Sequence, residues 1–297
     1  MSDVTGAVVV GYDSSAEADL AVDWAAVEAV RRDRPLLVLF ASDYDRLRVS
    51  PEFLDAWSPA SVEEAAEGIV KAGEARARAA APDVVVQVRT SHRGAASALK
   101  DLSEHAALIV VGGRRHGRVT GVLLGSVAFA TAAHAHCPVV VVPADRATPP
   151  GPQHPVVVGV DGSPGSDKAV EMAAELAAGT GAELVVASAW DTPAMDHWSR
   201  IYLADDEWRH QSIATARNGG MERVAHAREL VAQAYPDLVV RELVREGRAD
   251  LLLADASAEA GLVAVGARGH GDLVSLLLGS TSRSVMHRAH CPVAIVR

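Results

Sequence analysis

The sequence is short of cysteine, of excess basic charge and of long apolar runs, and each shortage closes off a class of protein. Cys137 and Cys291 are the only two cysteines, each set in a His-Cys-Pro-Val context. As equivalent positions of a repeat they are expected in separate cores, which predicts no disulfide between them and suits a reducing compartment. Lys and Arg total 28 against 38 Asp and Glu, for a net charge of −10 and a pI near 5.6. That balance argues against a nonspecific grip on nucleic acid or on an anionic membrane, while leaving room for a local anion site. No uninterrupted apolar run reaches spanning length, and Met1-Ser2-Asp3-Val4-Thr5 carries no basic lead. The expectation is a cytoplasmic protein with no signal peptide and neither membrane nor nucleic acid as partner.

What is present is a globular composition, 49% hydrophobic and 22% charged over 297 residues, enough for about two domains. Val8-Val9-Val10-Gly11-Tyr12-Asp13 is a strand running into a helix with apolar residues at helical spacing. Val156-Val157-Val158-Gly159-Val160-Asp161 repeats it 148 positions later, with Ser163 as N-cap and Pro164 at the first helical position. Second strands are predicted at 36–41 and 184–189, and third strands at 82–86 and 236–240, now 154 positions apart. Helices near 94–105 and 248–260 precede strands at 108–111 and 262–265, and each half closes with a helix (126–136, 280–290) and a strand (138–142, 292–296). Nearly continuous Val runs indicate strands covered on both faces, as in a parallel sheet. Linker composition at 147–154 divides the chain into domains at 1–146 and 155–297. Each half therefore reads as a five-stranded, doubly wound parallel sheet with helices on both faces, whose ligand should sit at the carboxyl ends of the strands.

The chemistry concentrates at that edge. Gly266, Gly269 and Gly271, followed by Gly279-Ser280-Thr281, form a glycine-rich turn and a helix mouth, a combination suited to phosphate because glycines admit positive φ and close approach. The upstream copy runs from Gly112 through Arg114, Arg115 and Gly117 to Gly125-Ser126. Neither turn contains a Walker lysine. Asp13 and Asp161 end their first strands; they serve either as turn and helix caps or as carboxylates that hold a ribose or base.

The spaced pattern Gly266-x2-Gly269-x9-Gly279-Ser280 resembles the nucleotide-binding motif of the universal stress protein family in its tandem-domain form. The resemblance extends over both halves, through the strand-Asp start, the Leu-Leu-Gly-Ser segment and the His-Cys-Pro-Val finish. It implies a Rossmann-like, adenine nucleotide alpha hydrolase-like fold and ATP, with magnesium as an accompanying ion. By the same resemblance Gly159 and Asp161 lie by ribose and adenine, Ala189 offers backbone to the base, and Gly266, Arg268, Gly269 and Gly271 line the triphosphate. Gly279, Ser280 and Thr281 close it. The first-half equivalents are Gly11, Asp13, Ala41, Gly112, Arg114, Arg115, Gly117, Gly125 and Ser126. Arg115 departs from the pattern, standing where the second half has Gly269; its side chain would either crowd the phosphates or pair with them. It also implies a pseudo-dimer of the two halves through their last strands, and a homodimer beyond it.

His134, His136 and Cys137 lie close together, but are read as helix-end and core residues, so no metal site is expected. Trp198, Tyr202 and Trp208 belong to a segment that either packs a helix or covers the nucleotide. With no evident base to activate water, the functional expectation is a nucleotide sensor or regulator in stress response or growth control, acting through conformation or an unidentified protein partner. The alternatives are a slow nucleotide hydrolase or nucleotidyl transferase, and an interaction scaffold with a vestigial site.

Overall fold

The computed structural model describes residues 4–43, 59–113, 125–144, 148–191, 206–269 and 278–297. They fall into two compact units. The first comprises residues up to Pro149 together with His290–Ile295 and Arg297; the second comprises Pro150–Ala289 with Val296.

In unit 1 the elements are β1 (Val8–Gly11), α1 (Ala16–Arg31), β2 (Leu36–Ala41), α2 (Pro59–Ala80), β3 (Val86–Ser91), α3 (Ala95–Leu102), β4 (Leu108–Gly113), α4 (Ser126–His134) and β5 (Val139–Pro143). Unit 2 holds β6 (Val156–Gly159), α5 (Pro164–Thr180), β7 (Leu184–Trp190), α6 (Asp206–Ala234), β8 (Val240–Glu246), α7 (Ala249–Ala256), β9 (Leu262–Gly266) and α8 (Ser280–Arg288). The final strand, β10, is Val293–Val296.

Strand order in unit 1 is β3-β2-β1-β4-β5, all parallel, and in unit 2 it runs β9-β6-β7-β8, also parallel. The order reverses direction between β1 and β4, and between β6 and β9. Two strands leaving such a point send their helices to opposite faces, which opens a crevice at their carboxyl ends. In unit 1, α1 packs on α2 and α3 on α4; in unit 2, α5 packs on α6 and α7 on α8. The central strands β1, β4, β6 and β9 are apolar: Val8, Val9, Val10, Leu108 and Ile109 are fully buried, as are Val156, Val158, Leu262 and Val263. Each such side chain contributes about 1.5–3 kcal/mol of burial.

The helix starts follow the sequence. Ser163 accepts the Ser166 N–H (3.2 Å) ahead of Pro164, and Ser15 accepts from Ala18 (3.2 Å) ahead of α1. At 148-residue spacing the two halves also share left-handed backbone positions, but fill them differently. Gly162 (φ 81°) and Gly181 (φ 66°) in the second half correspond to Ser14 (φ 63°) and Asp33 (φ 52°) in the first.

Two expectations need correction. The third strands begin at Val86 and Val240, where the predicted apolar segments end. Val85 and Val239 are about two-thirds exposed, and the strands themselves mix polar or charged residues with apolar ones, as solvent-facing outer strands do. The last strand, β10, pairs antiparallel with β5, Val293 opposite Val141 and Ile295 opposite Val139. Its residues 293–295 therefore count with unit 1, where they cover the backbone edge that a Val-rich β5 would otherwise leave open. Cys291 consequently sits in unit 1 along with Cys137; both are buried, and the Cys291 thiol donates to Pro292 O (3.5 Å).

Candidate functional site: two unequal clefts

At the β6/β9 reversal of unit 2 lies a cleft of about 540 Å³. Gly159, Asp161, Ala189, Gly266, Arg268, Gly269, Gly279, Ser280 and Thr281 all line it, so nine of the ten second-half positions converge on one space. Gly271 lies outside the described residues. The apolar part of the wall comes from Val160, Ala187, Leu252, Leu253 and Val265.

One end of the cleft is a donor array. Helix α8 begins after Gly279, which has extended backbone and provides no side-chain cap, so the first-turn N–H groups have no intrahelical acceptor. Two bonds fix that helix mouth against β9: Gly279 N–H donates to Ala267 O (2.8 Å), and Ser282 Oγ–H donates to Gly266 O (2.6 Å). Farther along, Ser284 donates to Asp250 Oδ2 (2.6 Å), while Arg248 forks onto both Asp250 oxygens (3.0 and 2.8 Å), tying α8 to α7. The Arg248 hydrogen bonds, with that from Ser284, hold the Asp250 carboxyl below its ordinary range.

The glycines act through close approach. Neither Gly266 nor Gly269 has positive φ, contrary to expectation. A Cβ on Gly266 would lie 2.8 Å from the carbonyl carbon of Gly165, so this glycine lets the start of α5 press against the end of β9. A Cβ on Gly269 would lie 2.2 Å from Asp161 Oδ2. The other Asp161 oxygen accepts the Ser163 N–H (3.0 Å). Asp161 is thus both the turn residue and a wall of the cleft.

The cleft of unit 1, at the β1/β4 reversal, measures about 170 Å³. Gly11, Asp13, Ala41, Gly112, Gly125 and Ser126 line it; Arg114, Arg115 and Gly117 lie outside the described residues. Its turn is built the same way, with Asp13 Oδ1 accepting the Ser15 N–H (3.0 Å) and a Cβ on Gly112 falling 2.8 Å from the Glu17 carbonyl carbon. The differences lie in the side chains. Glu17 stands where unit 2 has Gly165, and it lines the cleft together with Asp13. Thr281 and Ser282 become Val127 and Ala128, removing a hydroxyl from the mouth and the tether to the strand. The Arg248-Asp250-Ser284 tie is replaced by Gly94, Ala96 and Ala130. Tyr12 takes the place of Val160, its hydroxyl donating to Asp19 (3.0 Å).

The scan against family models matches residues 5–143 and again 153–297 to the universal stress protein family. The chain belongs to the universal stress protein family. Among curated relatives, universal stress proteins of Mycobacterium tuberculosis H37Rv are 33% identical over 295 residues, covering 98% of this chain and 96% of the relative, and 34% identical over 304 residues, covering 98% and 96%. The crystal structure of a universal stress protein from Archaeoglobus fulgidus superposes with a TM-score of 0.65 at 21% identity, covering 100% of this chain and 99% of that one. At that identity the likeness concerns the fold.

Several lining residues were not anticipated from sequence. Leu252 and Leu253 come from a helix whose apolar residues read simply as core. Arg223 belongs to α6, and the Gly219-Gly220 pair just before it was the available signal: a Cβ on Gly220 would come within 3.3 Å of Val244. The His134, His136 and Cys137 group does not converge. His134 Nδ1 meets Ala130 O (2.8 Å), His136 Nδ1 meets Ser103 Oγ (3.2 Å), and burial pushes the Cys137 thiol up to about 11. Trp198, Tyr202 and the Trp208 side chain lie outside the described residues. Among the described residues no helix is long and apolar enough to cross a membrane.

Proposed function

We propose that the unit 2 cleft binds ATP and that this universal stress protein acts as a cytoplasmic nucleotide sensor in stress response or growth control, its nucleotide state read through conformation or a protein partner. The observation that carries the reading is the pairing of a free helix N-terminus with an apolar, carboxylate-edged groove in one cleft. The α8 mouth, with Ser280 and Thr281, supplies prearranged donors in the positive field of a helix end. From β9 across β6 to β7 the groove crosses two strand spacings, about 10 Å. That distance separates a phosphate at the helix mouth from a base beside Ala189, with Asp161 between them as acceptor for a ribose hydroxyl. A volume of about 540 Å³ falls in the usual range for small-molecule sites.

Binding, rather than turnover, is the activity this wall supports. Asp161 is the one carboxylate among its described lining residues, and one of its oxygens is engaged by the Ser163 N–H. Activation of a water would fall to that group alone, so any hydrolysis is slow. Magnesium would arrive with the triphosphate and be held chiefly by it, since no group of three or more His, Cys, Asp or Glu side chains suited to a metal occurs among the described residues.

The smaller unit 1 cleft favours a second reading for that half alone, a structural domain with a vestigial site. Glu17 adds a second acidic residue, beside Asp13, to the lining of a cleft that includes the helix start at Gly125 and Ser126. The test is equilibrium binding of ATP to the purified chain and to Gly269→Arg. Saturable binding by the parent, weakened at least about a hundredfold in the variant, is expected from the 2.2 Å Cβ clash with Asp161. A parent with no measurable affinity would remove the proposal.

A further inference from the structure

The base end of the unit 2 cleft is occupied by a side chain that the nucleotide reading does not use. Val160 N–H donates to Ala187 O (2.9 Å), so the carbonyl of Ala187 points toward β6. Ala189, two residues on, points the same way, past Gly159 where β6 ends. This carbonyl is the acceptor a base would meet. Arg223, reaching in from α6, already donates to it through Nη2 (3.1 Å), and through Nε to Ser188 Oγ (3.1 Å). Ser188 is 1% exposed and passes its own hydroxyl proton to Val160 O (3.1 Å), so the guanidinium is held by a three-member chain of bonds to the ends of β6 and β7. In the first half Phe40 stands at the Ser188 position, and this anchorage has no equivalent.

We infer that Arg223 is a specificity-determining residue that turns the base end of the cleft from an acceptor into a donor surface. The inference rests on the nucleotide reading of this cleft. A guanidinium carries five N–H donors and no acceptor, and two of the five are engaged. A purine with an amino group at position 6 brings donors to a carbonyl that is already shared and to a cation that repels them. A purine with a carbonyl at position 6 brings an acceptor that the remaining guanidinium N–H groups can satisfy. Arg223 therefore narrows, or reverses, the advantage ATP would otherwise hold over a 6-oxopurine nucleotide. Removing it restores the Ala189 carbonyl to an amino group.

The experiment compares equilibrium affinities for ATP and inosine triphosphate, which differ only at the 6-position edge, in the parent and in Arg223→Met. The ratio of the two affinities cancels any common loss from altered packing. Comparable binding of both nucleotides by the parent is expected, with a shift of the ratio toward ATP by about tenfold in the variant, the size of one mismatched buried donor. If Arg223→Met does not fold, Ser188→Ala frees the same guanidinium and is expected to shift the ratio in the same direction by less. A ratio unchanged by the variant while both nucleotides bind overturns the role of Arg223. Failure of the parent to bind either nucleotide overturns the nucleotide reading itself.

Discussion

The two halves share a backbone plan and differ in what they place at the same sheet edge. Both end a Val-rich strand in an Asp that accepts the N–H two residues on, and both use a glycine to seat a helix start against the end of a neighbouring strand. The unit 2 cleft is about 540 Å³ and the unit 1 cleft about 170 Å³. Glu17 against Gly165 adds bulk and an acidic residue on the smaller side, while Val127 and Ala128 against Thr281 and Ser282 remove hydroxyls without adding volume. A repeat thus preserves the positions that build the fold more faithfully than those that meet a ligand.

The largest expected effect comes from transplanting the first half's carboxylate into the second. In Gly165→Glu, ATP affinity is expected to fall about thirtyfold or more, because a charge is placed at the phosphate end of a confined site. Gly165 has no positive φ, but its Cβ would lie 3.1 Å from Arg268 O, so that carbonyl must give by a few tenths of an ångström. An unchanged melting temperature alongside an unchanged dissociation constant would break the comparison. The reverse change, Glu17→Gly, should raise nucleotide affinity of the first half by up to about tenfold, measured in a Gly269→Arg background where the second site is silent.

Acid stability separates the halves on a smaller scale. Asp250 has its pKa lowered from 3.8 by Arg248 and Ser284. Its contribution is complete above that ordinary value and is lost as pH falls through the lower folded value. Asp250→Asn should therefore reduce the melting temperature near neutrality and flatten its decline below about pH 4. Parallel curves for parent and variant would show that the tie between α7 and α8 contributes nothing. Smallest of all, Ser14→Gly should stabilise the chain by about 0.5–1 kcal/mol in denaturant unfolding, since Ser14 holds φ 63° where the second half has Gly162. The converse Gly162→Ser should destabilise it by a similar amount.

Much of this was legible in the sequence because the signals are local. Buried strands announce themselves as Val runs, Ser163-Pro164 marks a helix start, and the spacing from Gly266 to Ser280 carries the family resemblance. The third strands were misplaced because an outer strand such as Val240–Glu246 alternates Arg and Glu with apolar residues, leaving the apolar run in the exposed turn before it. The antiparallel direction of the β10–β5 pairing cannot be read from two segments whose letters match. Arg223 escaped notice for a different reason: its partners Ser188 and Ala189 lie 35 and 34 residues away, and only tertiary packing joins them. At Gly266 and Gly269 it is crowding by Gly165 and Asp161, and not positive φ, that excludes a side chain.

The inequality of the two clefts is tested most directly by the stoichiometry of ATP binding, measured by isothermal titration of the intact chain. One high-affinity nucleotide per chain is expected, abolished by Gly269→Arg. Two equivalent sites in the parent, or a high-affinity site that survives Gly269→Arg, would contradict the account.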